Sequence, residues 1–375
     1  MEQKRQQASP ANNLTRREFM RDGAVAAAGL AAGLGALGSR VAWADDAAIK
    51  KTRSYNPQME YRRLGKTNIW ASAVCLGGHW KRIEKMVPGL FEGDGWLGAN
   101  LNDEAFKKNR YDVVGRCIES GINYIDACTK EEVVAYAEAL RGRRDKMYLG
   151  FSWFQEEMRN ANFRTAEALL KTLDKGMGEA KLEYVDVWRI TMHEQSGNHT
   201  NAEVDEMMKA LEKARKQGKA RFTGFSSHDR PHIKWMIETY PDIVQVVVTP
   251  YTAKSKMLPK DSVFDAVKKY DVGVFGIKPF ASNSLFKGDS SIGSPTAEED
   301  DRLAREAIRY ILCNPSITAP IPGMINGHQV DNVVKAVKER RELDMKEARE
   351  LEAAMDQAWA KLPTEYQWLK SWEYV

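Results

Sequence analysis

Apolar residues in this 375-residue chain fall into short runs separated by longer stretches of helical period. The runs at 73–77, 122–127, 147–151, 185–190, 222–226, 243–248, 273–277 and 317–321 predict eight buried strands. Helical spacing recurs at about 103–119, 131–141, 165–177, 202–217, 231–239, 261–270, 297–312 and 328–338. Asn102 and Asp261 stand where N-caps belong, and the fourth helix ends before Gly218. Eight strand–helix alternations of this length predict an α/β fold, a (β/α)8 TIM barrel. A doubly wound sheet would need a glycine-rich turn directly after its first strand. The GxGxxG at Gly93–Gly98 follows no strand and is read as chance.

The ends of the chain carry different patterns. Met59–Trp70 reads as a β-hairpin around Gly65. Residues 344–375 read as a charged helical tail followed by Tyr366, Trp368, Trp372 and Tyr374, which either line the barrel mouth or dock on the outer helices. Trp80 to Leu101 form a long insert after the first strand, and long βα loops usually lie over an active site.

The N-terminus reads as an address. Thr15-Arg16-Arg17-Glu18-Phe19-Met20-Arg21 resembles a twin-arginine export signal, Ala24–Leu37 is rich in Ala, Gly and Leu, and Ala42-Trp43-Ala44 is an A-x-A cleavage site. The expected organisation is a signal peptide at 1–44, a polar linker at 45–58 and the barrel at 59–375. The mature protein is expected to be periplasmic or otherwise extracytoplasmic, off the membrane once the signal is removed. The net charge of +4 changes little, because the first 44 residues hold six of the 56 Lys/Arg and three of the 52 Asp/Glu. The near-neutral remainder gives no reason to propose nucleic acid or an anionic membrane as partner. Cys75, Cys117, Cys128 and Cys313 show no CxxC pair, which argues against a zinc or disulfide framework. Cys75 and Cys128 fall on neighbouring predicted strands and are read as buried thiols, with a bridge as the alternative.

Gly121-Ile122-Asn123-Tyr124-Ile125-Asp126-Ala127-Cys128 places a carboxylate at the C-terminal tip of the second strand, where barrel enzymes hold their chemistry. This stretch, with Tyr61-Arg62-Arg63-Leu64-Gly65-Lys66-Thr67, Arg143–Lys146, Tyr184–Trp188, Gly218–Ser226 and Ile321-Pro322-Gly323, resembles the aldo-keto reductases over nearly all of 59–340. The resemblance implies hydride transfer between NADP, or NAD, and a small carbonyl substrate. It also implies a tyrosine acid tuned by a Lys–Asp pair, and a histidine that orients the substrate.

Of those four residues the chain keeps only Asp126. The tyrosine's counted place is Glu131, in a loop about four residues too short; the lysine's is Ser152; the histidine's is Thr191, with His193 two residues on. If the site is active, His193 is the expected proton-trading group and Asp126 its orienting carboxylate. Tyr136, in the second helix, is read as a core aromatic. The resemblance further implies a cofactor groove. Ser226, Ser227 and Gln245 would meet the nicotinamide amide, Tyr251 would stack on its ring, and Lys278-Pro279-Phe280 would meet the pyrophosphate. Gly323, Met324, Gln329 and Asn332 would hold the phosphate and adenine end. Gln329 stands where an arginine often grips a 2′-phosphate, so the choice between NADP and NAD stays open.

Two further readings compete. A barrel that lost its catalytic set would be a binding protein, and His79, Asp126, Cys128 and His193 meeting at the mouth would suit a metal, although none has dedicated ligand spacing. The histidines at 199, 228 and 232 are read as surface or loop residues.

Overall fold

The computed structural model describes residues 46–92, 95–291 and 293–372. The predicted signal peptide, residues 1–44, lies outside them, as do Gly93, Asp94 and Tyr374. The chain divides into Met1–Lys51 and Thr52–Val375, and the second unit forms the folded body.

The body opens with an antiparallel hairpin, β1 (Tyr61–Arg63) and β2 (Trp70–Ser72), with Tyr61 opposite Ser72. Its turn needs glycine at 65, where φ is +48° and a Cβ would fall 2.3 Å from the Gly273 nitrogen. Eight parallel strands follow in sequence order: β3 (Leu76–Gly77), β4 (Tyr124–Ala127), β5 (Tyr148–Phe151), β6 (Val185–Thr191), β7 (Ala220–Ser226), β8 (Val246–Pro250), β9 (Gly273–Ile277) and β10 (Ala319–Pro320). Bonds from Cys75 N to Pro320 O (3.1 Å) and Gly77 N to Pro322 O (2.8 Å) join the first of these to the last. That closure makes the sheet a barrel.

A helix follows each barrel strand: α1 (Glu104–Ser120), α2 (Lys130–Ala139), α3 (Ala166–Glu179), α4 (Asn201–Lys216), α5 (Arg230–Thr239), α6 (Val263–Tyr270), α7 (Ala297–Leu312) and α8 (Gly327–Lys338). A ninth, α9 (Met345–Ala360), leads to 3-10 turns over Thr364–Trp372. Among the described residues no helix is long and apolar enough to cross a membrane.

The barrel interior is apolar below and polar above. Leu64, Ile69 and Ala71 of the hairpin pack from beneath on Tyr124, Val187, Val246 and Phe275. Asn123 stitches the plug in place. Its Oδ1 accepts from Ser72 N at 2.9 Å, and its Nδ2 donates to Trp70 O at 2.9 Å. Asp186, fully buried at the foot of β6, takes Arg53 (3.1 Å), Arg144 (2.7 Å) and Arg221 (2.6 Å). Residues 52–56, expected as the end of a linker, are therefore part of the body: Thr52, Arg53, Ser54 and Asn56 all bond to groups around the barrel's underside.

Two expectations shift and a third, on the cysteines, holds. The strand expected at 243–248 is Val246–Pro250: Ile243 and Val244 are as apolar as the strand itself, so the pattern does not mark its start. The caps of α1 and α6 are Asp103 and Ser262 rather than Asn102 and Asp261; Asp103 accepts from Phe106 N at 2.8 Å. Cys75 and Cys128 are free thiols, Cys75 within the barrel interior.

Candidate functional site

The polar layer at the barrel mouth is built on Asp126, at the tip of β4. Arg189 of β6 reaches it across β5, its Nε to Oδ1 at 2.9 Å and its Nη2 to Oδ2 at 2.5 Å. The strand between them carries Gly150 opposite Asp126. A Cβ there would stand 3.0 Å from Asp126 Oδ1 and 2.2 Å from Tyr124 Oη, so the glycine opens the path. Both charged side chains are nearly inaccessible. Burial works to lower the Arg189 guanidinium, and the carboxylate more than offsets it, holding Arg189 firmly charged.

The expected meeting of Asp126 with His193 does not occur. β6 runs through Thr191, so Arg189 and Thr191 share its inward face, while His193 lies past the strand end and outside the cavity wall. Its Nδ1 accepts from Gln195 N at 3.1 Å and its backbone N donates to His199 Nε2 at 3.3 Å.

Beside the ion pair, the residues standing at the lysine's and the histidine's counted places form one hydrogen-bonded unit. Ser152 Oγ and Thr191 Oγ1 are 2.8 Å apart, and Arg189 Nη1 donates to Thr191 Oγ1 at 3.0 Å. Glu157, fully buried, accepts from Ser152 Oγ at 2.5 Å and from Thr191 N at 2.7 Å. Burial raises the Glu157 carboxyl above its ordinary range, and these donors offset only part of that.

On the other flank α2 starts directly after Thr129, whose hydroxyl accepts from Glu132 N. Glu131 is thus in the first helical turn, and no loop remains to carry a tyrosine. Glu132 turns inward beneath Gly78, where a Cβ would fall 1.9 Å from its Cδ. It accepts from His79 N (2.5 Å) and Cys128 N (2.7 Å), and its Oε1 lies 2.8 Å from His79 Nδ1. The Cys128 sulfur is 3.7 Å from that ring nitrogen. One ligand atom from each of His79, Cys128 and Glu132 fits within 4.8 Å of the others, so these three form the metal-like grouping in place of the expected four. The carboxylate oxygens are already taken by two backbone N–H groups that tie the tips of β3 and β4 together. Burial pushes the Cys128 thiol well up and lowers the His79 imidazole. Tyr136 is the core aromatic expected, its hydroxyl donating to Gly77 O at 2.6 Å.

These groups open into a cavity of about 850 Å³. Of the expected site residues, Asp126, Ser226, Lys278, Pro279, Phe280, Gly323, Met324, Gln329 and Asn332 line it. The other expected cofactor contacts point elsewhere. In β8 the even positions Val246 and Val248 face the interior, which turns Gln245 and Tyr251 outward. Gln245 Oε1 accepts from Thr223 N at 3.2 Å, and Tyr251 packs on Phe264 with its hydroxyl taking Asn314 Nδ2 at 3.2 Å. Ser227 is drawn to Ser196 Oγ at 2.7 Å.

Several wall residues go beyond what the sequence marked. His228, expected at the surface or in a loop, lies in the loop after β7 but is buried in the cavity wall, flat against Trp368 of the tail with ring centroids 4.1 Å apart. Burial holds its imidazole well below the usual range, hence neutral. His199 is buried as well. Tyr366, also from the tail, lines the cavity and accepts from the Lys81 ammonium, with Lys278 Nζ 5.3 Å from its ring centroid. Only the alternation of aromatics in residues 366–374 hinted at this cover.

Comparison with known proteins gives a consistent picture. The sequence model of the Aldo/keto reductase family matches residues 94–356. L-galactose dehydrogenase of Arabidopsis thaliana is 24% identical over 213 residues, which are 51% of this chain. The match spans 65% of that relative's length. Among solved structures, the holo form of an aldo-keto reductase from Bacillus halodurans superposes with a TM-score of 0.55 at 18% identity, covering 82% of this chain and 99% of that one. An aldo-keto reductase from a Medee basin deep-sea metagenome gives 0.53 at 15% identity, covering 78% and 94%. At these identities the structural likeness speaks for the barrel itself.

Proposed function

Because the chain belongs to the aldo/keto reductase family, we propose that it is an oxidoreductase passing hydride between a bound nicotinamide nucleotide, NADP or NAD, and a small carbonyl compound or its alcohol. The observation that carries this reading is the cavity's course: it runs without interruption from the Asp126–Arg189 pair to Gly323, Met324, Gln329 and Asn332 at the start of α8. Its volume suits a dinucleotide with a small substrate. The donor set fits as well. Ser226 offers a hydroxyl at the deep end, and the N-terminus of α8, capped by Asn326, offers backbone N–H groups and a favourable dipole for phosphate.

When bound, the nucleotide supplies or accepts the hydride; the chain's own residues do the rest. Asp126 cannot serve as the acid, because Arg189 occupies both its oxygens. The pair is a fixed, charge-balanced floor beneath the reacting groups. Ser152, Thr191 and Glu157 hold Arg189 in that position. Neutral His228 offers a ring edge to orient a substrate oxygen, and Trp368 above it excludes water. A polar, hydroxyl-bearing substrate suits these walls, in keeping with the sugar in the name of the Arabidopsis relative.

Native mass spectrometry of the purified protein, joined to calorimetry with NADPH and NADH, tests the reading. A nucleotide of matching mass, or measurable binding, supports it. No nucleotide and no binding would favour a barrel kept as a binding protein, a reading encouraged by Ser152 and Thr191 standing where the usual lysine and histidine would be.

We further propose export in the folded state with cleavage after Ala44, motivated by Arg16-Arg17 and Ala42-Trp43-Ala44. Outside the cytoplasm there is no ready supply of dissociable nucleotide, so the cofactor would travel bound. Replacing both arginines by lysine is expected to trap the protein in the cytoplasm; an unchanged distribution on cell fractionation would refute the route.

A further inference from the structure

Resting on the reductase reading above, we propose that Tyr366, carried over the barrel mouth by the C-terminal segment, is the proton donor of this site, tuned by Lys81 and Lys278. The tyrosine is held at two points close by in the chain. Leu369 is buried beneath the segment, and Trp368 is stacked on His228. Between them and Glu365, the Tyr366 phenol points into the cavity that Asp126 also lines.

The cations that meet it come from two different loops. Lys81, in the loop after β3, donates to the phenol oxygen, and Ser282, in the loop after β9, bonds to it as well. Lys278, at the tip of β9, holds its ammonium 5.3 Å from the ring centroid. An ammonium has no lone pair, so Lys81 can only donate to the phenol, and the phenol keeps its own proton to give. Burial alone would raise the phenol; Lys278, Lys81 and Ser282 together more than offset it and leave Tyr366 below its ordinary value.

The position of Lys278 sets where this pair works. It lines the same cavity as His79 and Cys128 at the tips of β3 and β4 and as His228 beyond β7. Burial lowers the Lys278 ammonium, Arg159 in the loop after β5 adds to that, and the ammonium is committed to the Tyr366 ring. That leaves the backbone of Lys278-Pro279-Phe280, not the ammonium, to meet a pyrophosphate. The acids on the barrel floor are engaged: Asp126 by Arg189, Glu132 by His79 and two amides, Glu157 by Ser152 and Thr191.

The step balances with these groups alone. The carbonyl carbon accepts hydride, with its electron pair, from the reduced nicotinamide. The carbonyl oxygen takes the proton as the Tyr366 O–H bond breaks. The nicotinamide is oxidised, the carbonyl is reduced to an alcohol, and the phenolate left between two ammonium groups recovers its proton from solvent water.

The test uses the full-length protein and three variants, Tyr366→Phe, Lys278→Met and Lys81→Met. Tyr366→Phe is expected to lower kcat for reduction by about 10²–10⁴ while NAD(P)H affinity is unchanged. Reduction needs the protonated phenol, so wild-type kcat should fall as pH rises through a value below the ordinary 10.0. In Lys278→Met and Lys81→Met that fall should move to higher pH. Independently of turnover, the wild-type-minus-Tyr366→Phe ultraviolet difference spectrum should show tyrosinate forming below pH 10.0. Equal turnover in wild type and Tyr366→Phe overturns the donor role and leaves the reductase reading standing, as does a phenol titrating at or above the ordinary value. A wild type that binds no nicotinamide nucleotide, or binds it and reduces nothing, overturns the reductase reading and the donor role with it.

Discussion

Arg189 is the side chain that most changes what Asp126 can do. A carboxylate at a strand tip is legible from Gly121–Cys128, because a turn, an apolar run and an acid follow in order. Its partner is not legible, since Arg189 lies in the run Val185–Thr191 and reads as an interruption of an apolar strand. Only the alternation of faces, applied to a strand ending at 191, sends Arg189 inward and leaves His193 on the rim. The pair is buried and bidentate. Removing one member strands a charge, so Asp126→Ala should cost about 3–5 kcal/mol of stability. Asp126→Ala combined with Arg189→Leu should cost less than the single change, because no charge is then left unpaired. Urea unfolding of the two variants beside wild type checks the order; a double variant weaker than the single would mean that the pair does not act as a unit.

At the scale of elements, helices and hairpin are read well from sequence and strand starts less well. The amphipathic period of α7 and the cap pattern of α4 mark their ends within a residue. The run Ile243–Val248, interrupted only by Gln245, does not mark where β8 starts; Gln245 and Tyr251, which the resemblance puts at the cofactor, are turned outward by the strand's alternation. The start of α8 is the element with most to say about cofactor choice. Gln329 there is drawn back on the chain, its Oε1 accepting from Ile325 N at 2.9 Å, and His328 is paired with Asp301 at 2.6 Å. A carboxylate at this end favours a ribose hydroxyl over a second phosphate. Gln329→Arg should therefore move preference toward NADPH over NADH by about tenfold, the worth of a hydrogen bond to a charged group. Fluorescence titration with both nucleotides measures it, and an unmoved ratio would place the 2′ position elsewhere.

For the whole molecule, closure depends on very small residues where first and last strands meet. Gly77 and Gly323 pair across the seam. A Cβ on Gly323 would fall 2.4 Å from Gly78 O, a backbone atom that cannot rotate away. Gly323→Ala should cost about 1–3 kcal/mol by overpacking, and should also loosen nucleotide binding, since the seam borders the cavity. A melting temperature equal to wild type would show that the seam yields freely. Eight alternations made the barrel readable from sequence, whereas its seam depends on contacts between residues far apart in the chain. Tyr366 and Trp368, which cover the mouth, belong to the segment after α9, outside the eight strand–helix repeats. The wall that covers the mouth is thus separate from the seam that closes the sheet. A ligand as large as a dinucleotide therefore meets two independent boundaries, one set by the sheet and one by the segment that carries Tyr366 and Trp368.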